Sequence, residues 1–237
     1  MLGSVFAIMR KELISYFNSY IAYIVIALFL FVCGYFFYVP VIEGGFGSLS
    51  ATYGNTLVIL LFIMPIITMK LISEERKSGS LELLFTRPVN EYVVVAGKFL
   101  AAVALWFVML LPTASYAAIL YVFAEPKPDL LPLLTQYLTI FLVGCAFIAV
   151  GIFASSLTEN QIVAAFFSFT FILILWLLNW VSSFVLNNEI ISYFAIANYV
   201  EDLLKGVVDA RDIVFYVSFM LFWLYAAVMR LYARRLG

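Results

Sequence analysis

The sequence predicts an all-α membrane protein, a bundle of six transmembrane helices that forms one domain over residues 1–237. Two observations lead to this fold class. Hydrophobic residues make up 66% of the chain and charged residues 11%, whereas a soluble domain has about 25% charged residues. The apolar residues also fall into six runs, each near the roughly 20 residues that cross a bilayer as a helix, and none alternates as a barrel strand would.

The six runs are separated by connections that carry nearly all the charge. Pro65 lies inside the second run and predicts a kink, which is either a static packing feature or a point at which the helix bends. The approximate bounds are 20–39, 56–72, 98–123, 133–157, 161–186 and 213–231.

Basic residues collect on one side of the predicted bundle. Of the 13 lysines and arginines, only Lys127, Lys205 and Arg211 fall on the other side. Because basic residues favour cytoplasmic loops, both termini are expected in the cytoplasm of a multi-pass protein of the inner (plasma) membrane. The remaining basic residues are Arg10, Lys11, Lys70, Arg76, Lys77, Arg87, Lys98, Arg230, Arg234 and Arg235.

Residues 1–19 are predicted to form an amphipathic helix in the cytoplasmic interface, the alternative being a fraying extension of the first span. Apolar residues recur there at spacings of three and four, and polar residues fill other positions. The apolar set is Val5, Phe6, Met9, Leu13 and Phe17, and the polar set is Arg10, Lys11, Glu12 and Ser15.

The connection over residues 73–90 predicts a short cytoplasmic helix. Gly79 is a candidate break, Pro88 ends the following helical turn, and Asn90 before Glu91 is a candidate cap for the third span. Large apolar residues between these stops favour a protein partner, although they could instead pack on the floor of the bundle. They are Leu81, Leu83, Leu84 and Phe85.

Two later connections also carry signals. Thr158 and Gln161 fit a capping box that opens the fifth span, and Gly151 with Ser155 forms a pair of small residues that lets another helix approach closely. Residues 187–212 are long, apolar and external, which predicts an interfacial or re-entrant segment. That segment is either an outer gate or docking surface, or an ordinary membrane-surface helix.

The motifs of catalytic and cofactor-binding proteins are missing from the sequence. There is no histidine, no phosphate-binding loop and no dinucleotide motif, and Cys33 and Cys145 lie within apolar runs. The chain is therefore expected to be non-catalytic, to hold no metal or cofactor, and to bind no nucleic acid. Every acidic residue lies outside the predicted spans, which disfavours a transporter driven by ions.

The connecting segments resemble those of type 2 ATP-binding cassette (ABC) exporter permeases, and most of all the gliding-motility-associated branch. The resemblance is carried by Arg10-Lys11-Glu12, the run Glu74-Glu75-Arg76-Lys77-Ser78-Gly79-Ser80-Leu81-Glu82-Leu83-Leu84, Arg87-Pro88-Val89, residues 151–161, and residues 204–209 with Arg211-Asp212.

This resemblance implies a permease that pairs with a second copy or a homologous permease in the membrane lipid. A separate cytoplasmic ABC ATPase, which binds ATP and Mg, would drive it, and an extracytoplasmic auxiliary subunit could join. The implied coupling helix has Glu74, Glu75, Arg76 and Lys77 facing the ATPase and Leu81, Leu84 and Phe85 packing beneath; Thr158, Glu159 and Asn160 make a second ATPase contact, and Arg10, Lys11 and Glu12 belong to a connecting helix.

The implied function is to couple that ATPase to substrate export or to work on an extracytoplasmic partner. The competing hypothesis is a non-transporting membrane scaffold of a motility or envelope complex.

Overall fold

A computed structural model of the chain describes residues 2–44, 50–80, 90–124, 127, 129–181, 200, 203–204, 206 and 209–235. Helices and short turns account for these residues, and no strand occurs among them. The main helices are α1 (Leu2–Phe17), α2 (Tyr20–Gly44), α3 (Ser50–Thr68), α4 (Lys70–Lys77), α5 (Glu91–Leu110), α6 (Ala114–Phe123), α7 (Leu130–Leu157), α8 (Gln161–Val181) and α9 (Ala210–Arg235), and a 3-10 turn at Leu111–Thr113 joins α5 to α6.

Six helical stretches of the described chain are long and apolar enough to cross a membrane, which confirms the predicted fold class. The second crossing combines α3 with α4, and the third combines α5, the 3-10 turn and α6. They are Tyr20–Val39, Thr52–Lys77, Glu91–Phe123, Leu130–Leu157, Gln161–Leu178 and Ala210–Arg235.

The third crossing begins at Glu91, earlier than the predicted start near Lys98. Asn90 caps α5 by accepting a hydrogen bond from the backbone N–H of Tyr92 at 3.3 Å, as its position before Glu91 predicted. Lys98 therefore lies inside α5 and not at its start. The helix continues through it because the side chain finds partners inside the protein, where it is 1% exposed.

α7 forms the centre of the bundle. Its most apolar stretch is 83% buried, against 22% for the first crossing and 17% for the fifth, and it packs on α3, α5, α8 and α9. Glycines allow this crowding. The site of a Cβ on Gly144 is occupied by the indole of Trp106, and that of Gly151 by the side chain of Thr68.

The predicted pair of small residues, Gly151 and Ser155, lies where α7 meets the second crossing. Ser155 Oγ accepts hydrogen bonds from the backbone N–H groups of Ile72 and Ser73, both at 3.1 Å, and donates to the Met69 carbonyl at 2.9 Å. Met69 is the residue that separates α3 from α4, one turn after Pro65. The close approach therefore fixes the irregular point in this crossing.

α1 packs along the first turns of α5, where Gly97 leaves room for Ile8. The predicted helix is present as a separate element before α2. Glu12 and Tyr16 are the buried residues, while Phe6 and Phe17 are exposed. An apolar stripe need not face the protein at a bilayer, because lipid also accepts it.

The cap of α8 also differs from the prediction. Asn160, and not Thr158, is the capping residue, since its Oδ1 accepts from the Ile162 N–H at 2.9 Å. Thr158 Oγ1 instead accepts from the Asn160 N–H at 3.2 Å. Gly79 adopts φ +69°, as expected of a glycine that ends a helix.

Several predicted features lie outside the described residues. These include Leu81, Leu84 and Phe85 of the implied coupling helix, residues 182–186 at the end of the fifth run, and most of the segment 187–212. Where that last segment is described, Leu203 is buried and the Leu204 carbonyl accepts a hydrogen bond from Gln136 of α7 at 3.0 Å.

Candidate functional site

Five elements meet at one end of the bundle, which we call the basic end. They are α1, the C-terminal end of α4, the first turns of α5, the turn between α7 and α8, and the C-terminal end of α9. Ion pairs between these elements hold them together. The pairs are Lys98–Glu12, Lys98–Glu75, Lys11–Glu75, Arg76–Glu159, Arg234–Glu159 and Arg235–Glu91.

One group of these contacts, which we call the Lys98 cluster, is made of Lys98, Glu12, Glu75 and Lys11. Lys98 Nζ lies 2.8 Å from Glu12 Oε1, 2.8 Å from Glu75 Oε2 and 2.6 Å from the Leu71 carbonyl. Lys11 Nζ reaches Glu75 Oε1 at 2.7 Å. Two ammonium groups thus balance two carboxylates.

Lys11 is the exposed member of the cluster, with 65% of its side chain accessible. Partial burial opposes its charged form, but the hydrogen bond and the negative charge of Glu75 outweigh that effect and raise the pKa of Lys11. Lys11 therefore stays protonated at neutral pH.

A second group joins the two connections that sequence analysis singled out. Arg76 Nη1 donates to the Ser156 carbonyl at 2.6 Å, and its Nη2 lies 3.3 Å from Glu159 Oε1. The same carboxylate oxygen accepts from Arg234 at 2.7 Å. α4, the turn between α7 and α8, and α9 consequently form one continuous surface.

One known protein family matches nearly the whole chain. The family described as ABC-2 family transporter protein matches residues 5–230, from α1 into α9. The chain belongs to the ABC-2 transporter family. A comparison with curated proteins gave no match.

Membership of the ABC-2 family indicates a permease subunit of an ABC transporter. Permeases of this family are typically non-catalytic membrane subunits, and the family implies association with an ABC ATPase and a permease dimer. The six apolar helices agree with a multi-pass membrane protein.

Five of the predicted site residues belong to the two ionic groups of this ABC-2 permease. They are Lys11, Glu12, Glu75, Arg76 and Glu159. Glu74 and Lys77, the other predicted residues of α4, are exposed, as is Arg10 of α1. Thr158 and Asn160 shape the turn that carries Glu159. Of the four predicted site residues of α4, Glu74 and Lys77 thus face outward, whereas Glu75 and Arg76 hold the bundle.

Three residues form ion pairs at the basic end of this permease that were not predicted from the sequence: Lys98, Glu91 and Arg235. Arg235 Nη1 lies 2.8 Å from Glu91 Oε1, and Glu91 is almost fully buried. The sequence could have shown that Lys98 is paired, because a charged residue within an apolar helix requires a partner. The identity of that partner was hidden, since Glu12 is 86 residues away along the chain.

Proposed function

We propose that this ABC-2 permease is the membrane subunit of an ATP-driven exporter and that its basic end is the docking face for a separate cytoplasmic ATPase. The strongest support is the contact between α4 and the turn that joins α7 to α8. Arg76 ties α4 to the turn between α7 and α8, so Glu74 and Lys77 lie on the same supported surface as Glu159. A partner can therefore push on both elements at once.

The mechanical argument follows from how α4 is held. An ATPase can move the membrane domain only through contacts that differ between its own two states. α4 continues from α3 after a single residue, Met69, and Ser155 fastens that junction to the central α7. Movement of α4 would reach the second crossing and the centre of the bundle directly.

The remaining parts of the proposal concern partners and setting. ATP and Mg would bind to the ATPase, and this chain would contribute docking and movement. Both termini would be cytoplasmic in the inner membrane, and a second copy or a homologous permease would complete the pathway. The work done is export, or action on an extracytoplasmic partner such as an auxiliary subunit of a gliding-motility system.

The partner ATPase would be identified from an adjacent gene or by copurification with the permease. The test then measures ATP turnover by that ATPase reconstituted with the permease. The double variant Glu74→Arg/Lys77→Glu exchanges two exposed charges without changing the net charge. We expect turnover stimulated by the permease to fall about tenfold, because reversed charges oppose a complementary docking surface. Exposed charges of this kind contribute less than about 1 kcal/mol to folding, so the bundle should remain intact.

Lys127→Glu is the matched control, since Lys127 is exposed on the connection between α6 and α7, away from the basic end. It should leave turnover unchanged. Equal turnover in the wild type and the double variant would remove α4 from the docking face. If no ATPase associates with the wild-type permease, the scaffold function replaces transport.

A further inference from the structure

Three members of the Lys98 cluster, namely Lys98, Glu12 and Glu75, are buried more deeply than the groups of a surface ion pair. Lys98 is 1% exposed, and the side chains of Glu12 and Glu75 are 11% and 14% exposed. Burial of charge is costly unless each group is paired, and here the lysine has three oxygen partners within 2.8 Å. A feature this costly to bury is expected to fix a particular arrangement.

The arrangement that it fixes involves three elements from distant parts of the chain. Glu12 belongs to α1, Glu75 to α4 and Lys98 to α5. Contacts beside the cluster reinforce the same junction. Tyr16 of α1 donates a hydrogen bond to the Ile67 carbonyl at 2.8 Å, and the Lys70 ammonium lies 4.7 Å from the centre of the Tyr16 ring.

We propose that Lys98 is a positioning residue that joins α1 to the second and third crossings, so that the three elements move as one unit when α4 is displaced. This inference rests on the proposed function of α4. α1 lies beside the bundle, and its exposed Phe6 and Phe17 are compatible with lipid, so its position depends on the contacts of Ile8, Tyr16 and the ionic cluster. The ionic cluster holds it in one position.

The first measurement uses the permease alone, in a lipid nanodisc, and follows hydrogen exchange of residues 5–17. Lys98→Met keeps the apolar stem but leaves the carboxylates of Glu12 and Glu75 to share the exposed Lys11, which lies 3.9 Å and 2.7 Å from them. Exchange should therefore rise about tenfold or more, and the unfolding temperature should fall. Glu12→Gln is milder, because Lys98 keeps Glu75 and the Leu71 carbonyl, and it should raise exchange of α1 without loss of the fold. Unchanged exchange in both variants would overturn the proposal.

The second measurement separates transmission from simple stabilisation. The triple variant Glu12→Gln/Glu75→Gln/Lys98→Met removes all three buried charges together, which should restore much of the unfolding temperature lost in Lys98→Met. In complex with the ATPase, we expect this variant and Glu12→Gln to bind the ATPase normally but to lose most of the turnover stimulated by the permease. Wild-type stimulation in Glu12→Gln, or in a stable triple variant, would overturn the role in transmission.

These outcomes are distinguishable from failure of the proposed function. If the wild-type permease does not stimulate any ATPase, the docking face is wrong, and exchange of α1 still reports whether Lys98 holds that helix. If the wild type is stimulated and the Lys98 cluster variants are stimulated equally, only the further inference fails.

Discussion

Single residues decide how closely the helices of this permease approach one another. Gly151 is the clearest case, because Thr68 of α3 occupies the place that a Cβ would take. Every non-backbone atom of Thr68 is near that place, so rotation of the threonine would not relieve the contact. The helices themselves would have to separate.

Gly151→Ala should therefore destabilise the bundle by about 1–3 kcal/mol through overpacking. Thermal unfolding of the purified protein in detergent measures this. Gly54→Ala is the matched control, since nothing lies within 4 Å of a Cβ at that position and alanine favours a helix over glycine. If both variants unfold at the wild-type temperature, α7 and the second crossing do not meet at Gly151.

Residue identity alone predicted part of this contact. The small side chains of Gly151 and Ser155, one helical turn apart, pointed correctly to a close approach. The partners of buried charges were not predictable in the same manner. Lys98 and Glu12 lie far apart in sequence, and only packing of α1 against α5 brings them within 2.8 Å.

Helix ends were predicted where one residue had one plausible role. Asn90 and Gly79 act as expected, whereas the capping box predicted at Thr158 and Gln161 is replaced by a cap at Asn160. The helix begins at Gln161, which places Asn160 in the capping position. Spacing patterns alone could not distinguish a start at Gln161 from an earlier one.

This difference has a direct test. Asn160→Ala should cost about 1 kcal/mol, because the Ile162 N–H loses its acceptor, and hydrogen exchange of the first turn of α8 should increase. Gln161→Ala should change that exchange little. A capping box would give a clear effect for Gln161→Ala, so an equal or larger effect there would contradict the observed cap.

α1 shows a limit that applies to whole elements. Its helical spacing was evident, but the spacing did not show that Glu12 and Tyr16 are the side chains it buries, while Phe6 and Phe17 of the apolar stripe are exposed. In water an apolar stripe must turn inward, whereas in a bilayer it can turn toward lipid. The side of an interfacial helix that is buried against protein can therefore be the side that carries its polar residues.

The number of crossings was predictable for the whole molecule, but the place of each crossing in the bundle was not. The first and fourth crossings have the same mean hydropathy, 2.4, yet their apolar stretches are 22% and 83% buried. Hydropathy measures the tendency to leave water and does not distinguish lipid from protein as the destination. Small residues along α7 carry that information, through Gly144 and Gly151.

The central claim for the whole molecule is that the basic end docks an ATPase. Hydrogen exchange of the permease in a nanodisc, measured with and without its ATPase, tests this most directly. We expect new protection at residues 74–80 and 158–161 and no change at residues 120–124, which lie at the end of α6 away from the basic end. Protection confined to residues 120–124, or unchanged exchange throughout while the ATPase is bound, would contradict the claim.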